Sequence, residues 1–164
     1  MKIQGLHHNA YRCKDAEETR KFYEDFLGLP MVNAFEIGET KTARSTNTLH
    51  FFFQMQDGSC LAFFESYDFS FEFKEQHDYD LHIALEIPLE DLQPWIDKGK
   101  AAGIDTRGIA DHKFIRSIYF RDPNGYVIEL TAKMPNHDEC MNPVTNGAAS
   151  ALSNWQENKP KQAI

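Results

Sequence analysis

Two pentads, His8-Asn9-Ala10-Tyr11-Arg12 and His82-Ile83-Ala84-Leu85-Glu86, carry residue types able to do chemistry at a spacing that can bring them together. Each reads His-x-Ala-x-charged, and in an extended strand the period of two puts the first, third and fifth side chains on one face. That face presents an imidazole, a small gap and a charge. Leu81, Ile83, Leu85 and Ile87 alternate with the polar set of the second pentad and would fill a core face by themselves. For either pentad alone, an exposed strand face explains the pattern as well; recurrence at matching places in two similar halves favours a site. Glu65 and Glu129 stand at corresponding places on later strands. Imidazole and carboxylate are ligands that borderline divalent metals accept. Two His with one carboxylate leave positions open for substrate or dioxygen, and a second carboxylate makes a more enclosed site for Lewis-acid or proton-transfer work.

The elements that must position these residues follow from periodicity and turn chemistry. Residues 6–13 read as a strand, with His8, Ala10 and Arg12 on one side. Asp15 with Glu18 three residues later is a capping box, and Phe22, Tyr23, Phe26 and Leu27 recur at helical spacing until Gly28 and Pro30 end the helix. A short strand over 31–37 and a mobile polar loop reaching 47 lead to a Phe-rich strand over 49–56, which Asp57-Gly58 turns back into a strand over 59–66. Residues 67–78 form an aromatic, acidic connector with Phe69, Phe71 and Phe73 alternating; it is either a linker between modules or a cover across a pocket mouth. The second half repeats the order. A strand over 79–87 precedes a helix capped by Asp91 with Pro94 in its first turn, then come residues 104–109, a strand over 114–120, the turn Asp122-Pro123-Asn124-Gly125 and a strand over 126–131. The expected division is therefore a first module over 1–66, the connector over 67–78, a second module over 79–132 and a C-terminal extension over 133–164. In that extension Ala148, Leu152 and Trp155 mark a short amphipathic helix, expected to pack on the body or on a neighbouring subunit.

The chain has 164 residues and a formal charge of -8 with a pI near 5.3. That balance repels nucleic acid and anionic membrane surfaces, so a small molecule is the expected partner, and a local pocket for a small anion stays open. No run approaches the ~18 apolar residues of a membrane span. Cys13, Cys60 and Cys140 are odd in number and contain no Cys-x-x-Cys pair. With no apolar signal segment at the start, the expected location is the cytoplasm and the cysteines read as small hydrophobes.

Three stretches make the chain resemble the vicinal oxygen chelate superfamily, which includes glyoxalase I, bleomycin-resistance and fosfomycin-resistance proteins, methylmalonyl-CoA epimerase and extradiol dioxygenases. They are Leu6-His7-His8 running to Asp15 and then Phe22-Tyr23 with Leu27-Gly28-Leu29; Leu81-His82-Ile83-Ala84; and Tyr119-Phe120-Arg121-Asp122-Pro123-Asn124-Gly125-Tyr126-Val127-Ile128-Glu129-Leu130. The resemblance covers roughly residues 4 to 132 and implies an α+β fold of paired βαβββ modules, a curved eight-stranded mixed sheet around a metal cleft, and commonly a homodimer. It implies His8, His82 and Glu129 as metal ligands, with Glu65 where some members add a fourth. Asn9 departs from the family's usual aliphatic residue.

Three ligands resemble the dioxygenase arrangement and would hold Fe2+ or Mn2+. Four resemble bacterial glyoxalase I and the epimerase and would favour Ni2+, Co2+ or Zn2+. Tyr119 lies ten residues before Glu129, where ring-cleaving members carry a Tyr that hydrogen-bonds the substrate oxygen. His50, on a strand face with Phe52 and Gln54, and His112 and Arg116, ahead of Tyr119, are further candidates for an acid, a base or an anion clamp. The first expectation is an extradiol-type dioxygenase acting on a small aromatic diol. A glyoxalase-like lyase or isomerase and a metal-free drug-binding protein are the alternatives.

Overall fold

The computed structural model describes residues 2–160. Its strands are β1 (His8–Arg12), β2 (Met31–Glu39), β3 (Ser45–Gln54), β4 (Cys60–Ser66), β5 (His82–Glu86), β6 (Thr106–Asp111), β7 (Ile115–Arg121) and β8 (Val127–Lys133). They form two four-stranded sheets, ordered β1-β4-β3-β2 and β5-β8-β7-β6. A helix follows the first strand of each set, α1 (Ala16–Arg20) and α2 (Leu92–Ala101), so the α+β architecture is the expected pair of βαβββ modules. By their contacts the described residues group into two units, 2–83 with Arg121–Ile128, and Ala84–Phe120 with 129–160.

In the first unit β1 runs parallel to β4, and β4, β3 and β2 are antiparallel neighbours. The Asp15 carboxylate accepts the Glu18 N–H at 2.8 Å and starts α1 as the capping box requires. The helix expected to run unbroken to Gly28 instead widens to a π-helix over Lys21–Phe26, closed by Leu27 N donating to the Phe22 carbonyl at 2.9 Å. The wider turn buries Phe22, Tyr23 and Phe26 together. Tyr23 stacks on Phe53 with centroids 5.4 Å apart and meets Phe63 at 4.7 Å. Each such ring contributes roughly 1.5–3 kcal/mol by leaving water.

The loop expected between 38 and 47 is a hairpin instead: β2 reaches Glu39, β3 begins at Ser45, and Thr40 N bonds the Arg44 carbonyl at 2.8 Å. Most of these residues are exposed. No buried face imposes a hydrophobic alternation, and the strand signal is lost.

The turn Asp122-Pro123-Asn124-Gly125 belongs to this unit. The buried Asp122 carboxylate accepts from Tyr23 Oη (3.0 Å), from Asn124 N (2.9 Å) and Nδ2 (3.0 Å), and from Tyr126 N (2.8 Å). Asn124 Oδ1 in turn accepts Lys14 N at 2.8 Å, and Tyr126 Oη donates to the Arg12 carbonyl at 2.8 Å.

In the second unit Asp91 precedes α2 but makes no side-chain capping bond; a 3-10 turn over Leu89–Asp91 leads into the helix. Asp91 already has helical φ and ψ, so its carboxylate is not in the extended geometry that reaches back to the first N–H groups. Leu92 and Ile96 face the core. At Gly99 a Cβ would stand 2.4 Å from Thr106 Oγ1 and 2.5 Å from Phe120 Cε1, so α2 approaches β6 and β7 only through glycine. The extension folds as α3 (His137–Cys140) and α4 (Ala148–Asn158). Leu152 and Trp155 are 62% and 66% exposed, so the described residues do not cover the stripe expected to pack on the body or on a neighbouring subunit. Among the described residues no helix is long and apolar enough to cross a membrane.

Asn124→Ala should lower stability by about 1–3 kcal/mol, because it strips a partner from the buried Asp122 carboxylate and from the part-buried Lys14 N–H. Urea unfolding measures this; a change within a few tenths of a kcal/mol would show that the network carries no stability.

Candidate metal and substrate site

Register decides which side chains share a face in the first unit. His8 pairs with Cys60 and Arg12 with Phe64, while His50 pairs with Phe64 and Phe52 with Ala62. His8, Ala10, Arg12, His50 and Phe52 therefore lie on one side of the sheet. The His8 ring is 5.4 Å from Phe52 and 6.3 Å from His50. His50 stacks on Phe64 at 3.8 Å and meets Phe35 edge-on at 5.4 Å. His50 is only 6% exposed, and burial pushes its pKa down, with the nearby His8 acting in the same direction and the bond to Phe63 opposing. Its Nδ1 lies 2.9 Å from the Phe63 carbonyl. The neutral ring that donates from Nδ1 keeps a basic lone pair on Nε2.

Glu65 is on the other side. It pairs with Leu49 on β3 and follows Phe64 on β4, so alternation turns it away from the His8 face. Its Oε2 accepts Ala16 N at 2.6 Å, capping α1 alongside Asp15, and its Oε1 accepts the Tyr67 hydroxyl. The structure does not bring Glu65 to His8.

The two ligand-candidate histidines are both exposed and both have Nδ1 engaged. His8 Nδ1 is 2.7 Å from His7 Nδ1, and His82 Nδ1 is 2.6 Å from the Asp78 carbonyl. A carbonyl only accepts, so His82 donates from Nδ1 and presents Nε2 as a ligand, the usual outer-shell arrangement of metal-binding histidines; His8 does the same when its Nδ1 is the donor toward His7.

In the second unit Glu129 is 5% exposed on β8. Tyr119 Oη donates toward Glu129 Oε1 at 3.4 Å, and His112 Nε2 lies 3.0 Å from the same hydroxyl. With the phenol proton directed to Glu129, His112 Nε2–H donates to Tyr119 Oη. Arg107 pairs with Tyr119 across β6 and β7 and sets its guanidinium 5.5 Å from the phenol ring centroid. Ser117 and Thr131 share that face and hydrogen-bond at 3.0 Å. Of the sequence candidates His112 thus reaches Tyr119, whereas Arg116 points to the other face and pairs with Asp111 at 3.1 Å, closing the hairpin. Arg107 was not visible in the sequence; only the β6–β7 register reveals it.

Within either unit, among the described residues, no three His, Cys, Asp or Glu side chains form a metal-binding group. The donor chemistry nonetheless fits a divalent ion, since two imidazoles have Nδ1 committed and one buried carboxylate has an ordered phenol beside it.

Because folded His50 binds a proton less readily than the unfolded chain, its contribution to stability is complete above the ordinary His pKa of about 6.5 and is lost as the pH falls below it. Urea unfolding between pH 8 and pH 5 should show a fall that His50→Gln reduces; identical pH slopes for the two proteins would contradict a buried, neutral His50.

Residues 5–130 match the sequence profile of the Glyoxalase/Bleomycin resistance protein/Dioxygenase superfamily. Metallothiol transferase FosB of Bacillus licheniformis is 34% identical over 131 residues, covering 79% of this chain and 75% of that protein. Among solved structures, a mutant of the fosfomycin resistance protein FosX of Listeria monocytogenes, complexed with Mn(II) and 1S,2S-dihydroxypropylphosphonic acid, superposes with a TM-score of 0.63 at 23% identity over 84% of this chain and 99% of that one. A glyoxylase/bleomycin resistance protein/dioxygenase domain from Frankia sp. EAN1pec gives a TM-score of 0.63 at 16% identity, with 81% and 100% coverage. The repeated βαβββ order, the two His-x-Ala strands and these matches agree: the chain belongs to the Glyoxalase/Bleomycin resistance protein/Dioxygenase superfamily, that is, to the vicinal oxygen chelate proteins.

Proposed function

We propose that the chain is a metal-dependent enzyme that holds one divalent ion through His8, His82 and Glu129 and acts on a small molecule offering two neighbouring oxygens. The observation that carries this is the ordered row His112, Tyr119, Glu129, which sets a phenol proton beside the proposed carboxylate ligand. When bound, the ion supplies Lewis-acid polarisation of the oxygens it holds. Tyr119 orients a substrate oxygen through its hydroxyl, His112 fixes the direction of that hydroxyl, and the neutral His50 accepts a proton at Nε2. The Phe35 and Phe52 rings pack against His50. The position of Glu65 as a cap on α1 supports three ligands over four, which favours Fe2+ or Mn2+ and weakens the lyase or isomerase reading with Ni2+, Co2+ or Zn2+. The complete His/His/Glu set also speaks against a metal-free drug binder. A homodimer is part of this reading.

Extradiol cleavage of a small aromatic diol is the first reaction we assign, supported by the contact of Tyr119 with Glu129 and the aromatic wall around His50. A second reading, transfer of a thiol to a small phosphonate such as fosfomycin, is favoured by the 34% identity to a metallothiol transferase. Arg107 with the hydroxyls of Tyr119, Ser117 and Thr131 would suit such an anion.

The test is oxygen uptake by the Fe2+-loaded protein on a catechol panel, run beside thiol consumption by the Mn2+-loaded protein with fosfomycin. Oxygen uptake with a ring-opened product supports the first reading, and Tyr119→Phe should then lower kcat about 10–100-fold with little change in KM. Thiol loss without oxygen uptake reverses the order of the two readings. A metal-loaded protein inert in both assays contradicts both.

A further inference from the structure

The connector that leads from β4 to β5 is tied down along its length within the first unit. Near its start, Arg12 Nη2 donates to the carbonyls of Ser66 at 2.8 Å and Phe69 at 3.0 Å. The same guanidinium lies 5.5 Å from the centroid of Phe71, and the Lys14 ammonium lies 5.6 Å from that of Phe73. Further on, Gln76 N donates to the Gly125 carbonyl at 2.9 Å, and Arg121 Nη1 reaches the carbonyls of Gln76 at 3.1 Å and Gly125 at 3.0 Å. Gly125 has φ +97°, and a Cβ there would stand 2.3 Å from the Lys74 carbonyl oxygen, so the turn meets the connector only with glycine at that place. The connector then closes a last turn, with Asp80 N and Leu81 N on the His77 carbonyl, and this turn sets the Asp78 carbonyl 2.6 Å from His82 Nδ1.

A passive linker requires none of these ties. Arg12 even leaves its Nε buried without a partner among the described residues, a desolvation cost accepted while its Nη2 holds the two connector carbonyls. Every tie lies upstream of one functional group, the imidazole of His82, whose tautomer and direction are fixed by the connector's own Asp78 carbonyl.

We propose that the connector is a strap whose closure is coupled to metal binding at His82, with Arg12 and Gly125 among its ties and neither of them a ligand. The proposal rests on the reading of His82 as a metal ligand. Coupling is reciprocal: a strap that orders the imidazole raises metal affinity, and the metal tightens the strap by the same factor. Arg12 is thus a positioning residue that acts through the connector on His82.

The experiment compares mass-mapped chymotryptic cleavage within residues 67–81 with and without Mn2+, and measures Mn2+ affinity, for the full chain and its variants. In the unaltered protein Mn2+ should slow cleavage in that segment. Arg12→Met and Gly125→Ala should each speed cleavage and weaken Mn2+ binding about tenfold, and Arg12→Lys should recover part of both. His82→Ala should lose Mn2+ binding together with the protection. If the unaltered protein binds Mn2+ through His82 but its cleavage does not respond, the strap is overturned and the ligand assignment stands. If His82→Ala binds Mn2+ as the unaltered protein does, the ligand assignment itself fails. The comparison on the unaltered protein needs no substitution, so a variant that does not fold leaves the test intact.

Discussion

A carboxylate withdrawn from water constrains much of the first unit. Asp122 is 4% exposed, and burial drives its pKa up while the bonds from Asn124, Tyr126 and Tyr23 hold it back; the balance is a raised value. Such a group is tolerated only where its lone pairs are met. Meeting them draws the Tyr23 hydroxyl out of the aromatic core, fixes the backbone of the 122–126 turn and, through Asn124, catches the N–H of Lys14 just after β1. The turn is thereby fastened to β1 and α1, and the same turn receives the connector at Gly125. One buried anion links the first helix, the first strand and the path to His82.

Strand alternation then sorts the acidic candidates. Glu129 sits beside a phenol that donates to it, and its burial suits a carboxylate held for chemistry. Glu65 has a different task at the start of α1, where the positive end of a helix and an unpaired N–H favour an anion. Two glutamates that look alike by position in a repeated sequence thus separate by face, and the separation bears directly on the choice of metal and reaction.

Much of the fold was legible because its signals are local. The Asp15 cap, the Asp57-Gly58 hairpin, the 122–125 turn and the alternation of residues 81–87 each rest on residues a few positions apart. The π-helical turn over Lys21–Phe26 was hidden because its spacing of apolar residues also suits an α-helix. The hairpin over residues 38–47 was hidden because it lies outside any core. Among the candidate site residues, His8, His50, His82, Tyr119 and Glu129 stood out by type and spacing. The orientation of Glu65, the partnership of His112 with Tyr119 and the presence of Arg107 depend on register between strands, which no short window contains. The ties on the connector join residues more than forty positions apart, such as Arg12 with Phe69 and Arg121 with Gln76, and only the folded chain displays them.

We propose a three-ligand divalent site made by His8, His82 and Glu129. Its most direct test is an Mn2+ titration followed by electron paramagnetic resonance on the intact protein and on His8→Ala, His82→Ala, Glu129→Gln and Glu65→Gln. One tight site per chain is expected, lost in the first three variants and kept in Glu65→Gln. Tight binding that survives Glu129→Gln, or that disappears with Glu65→Gln in a folded protein, would contradict it.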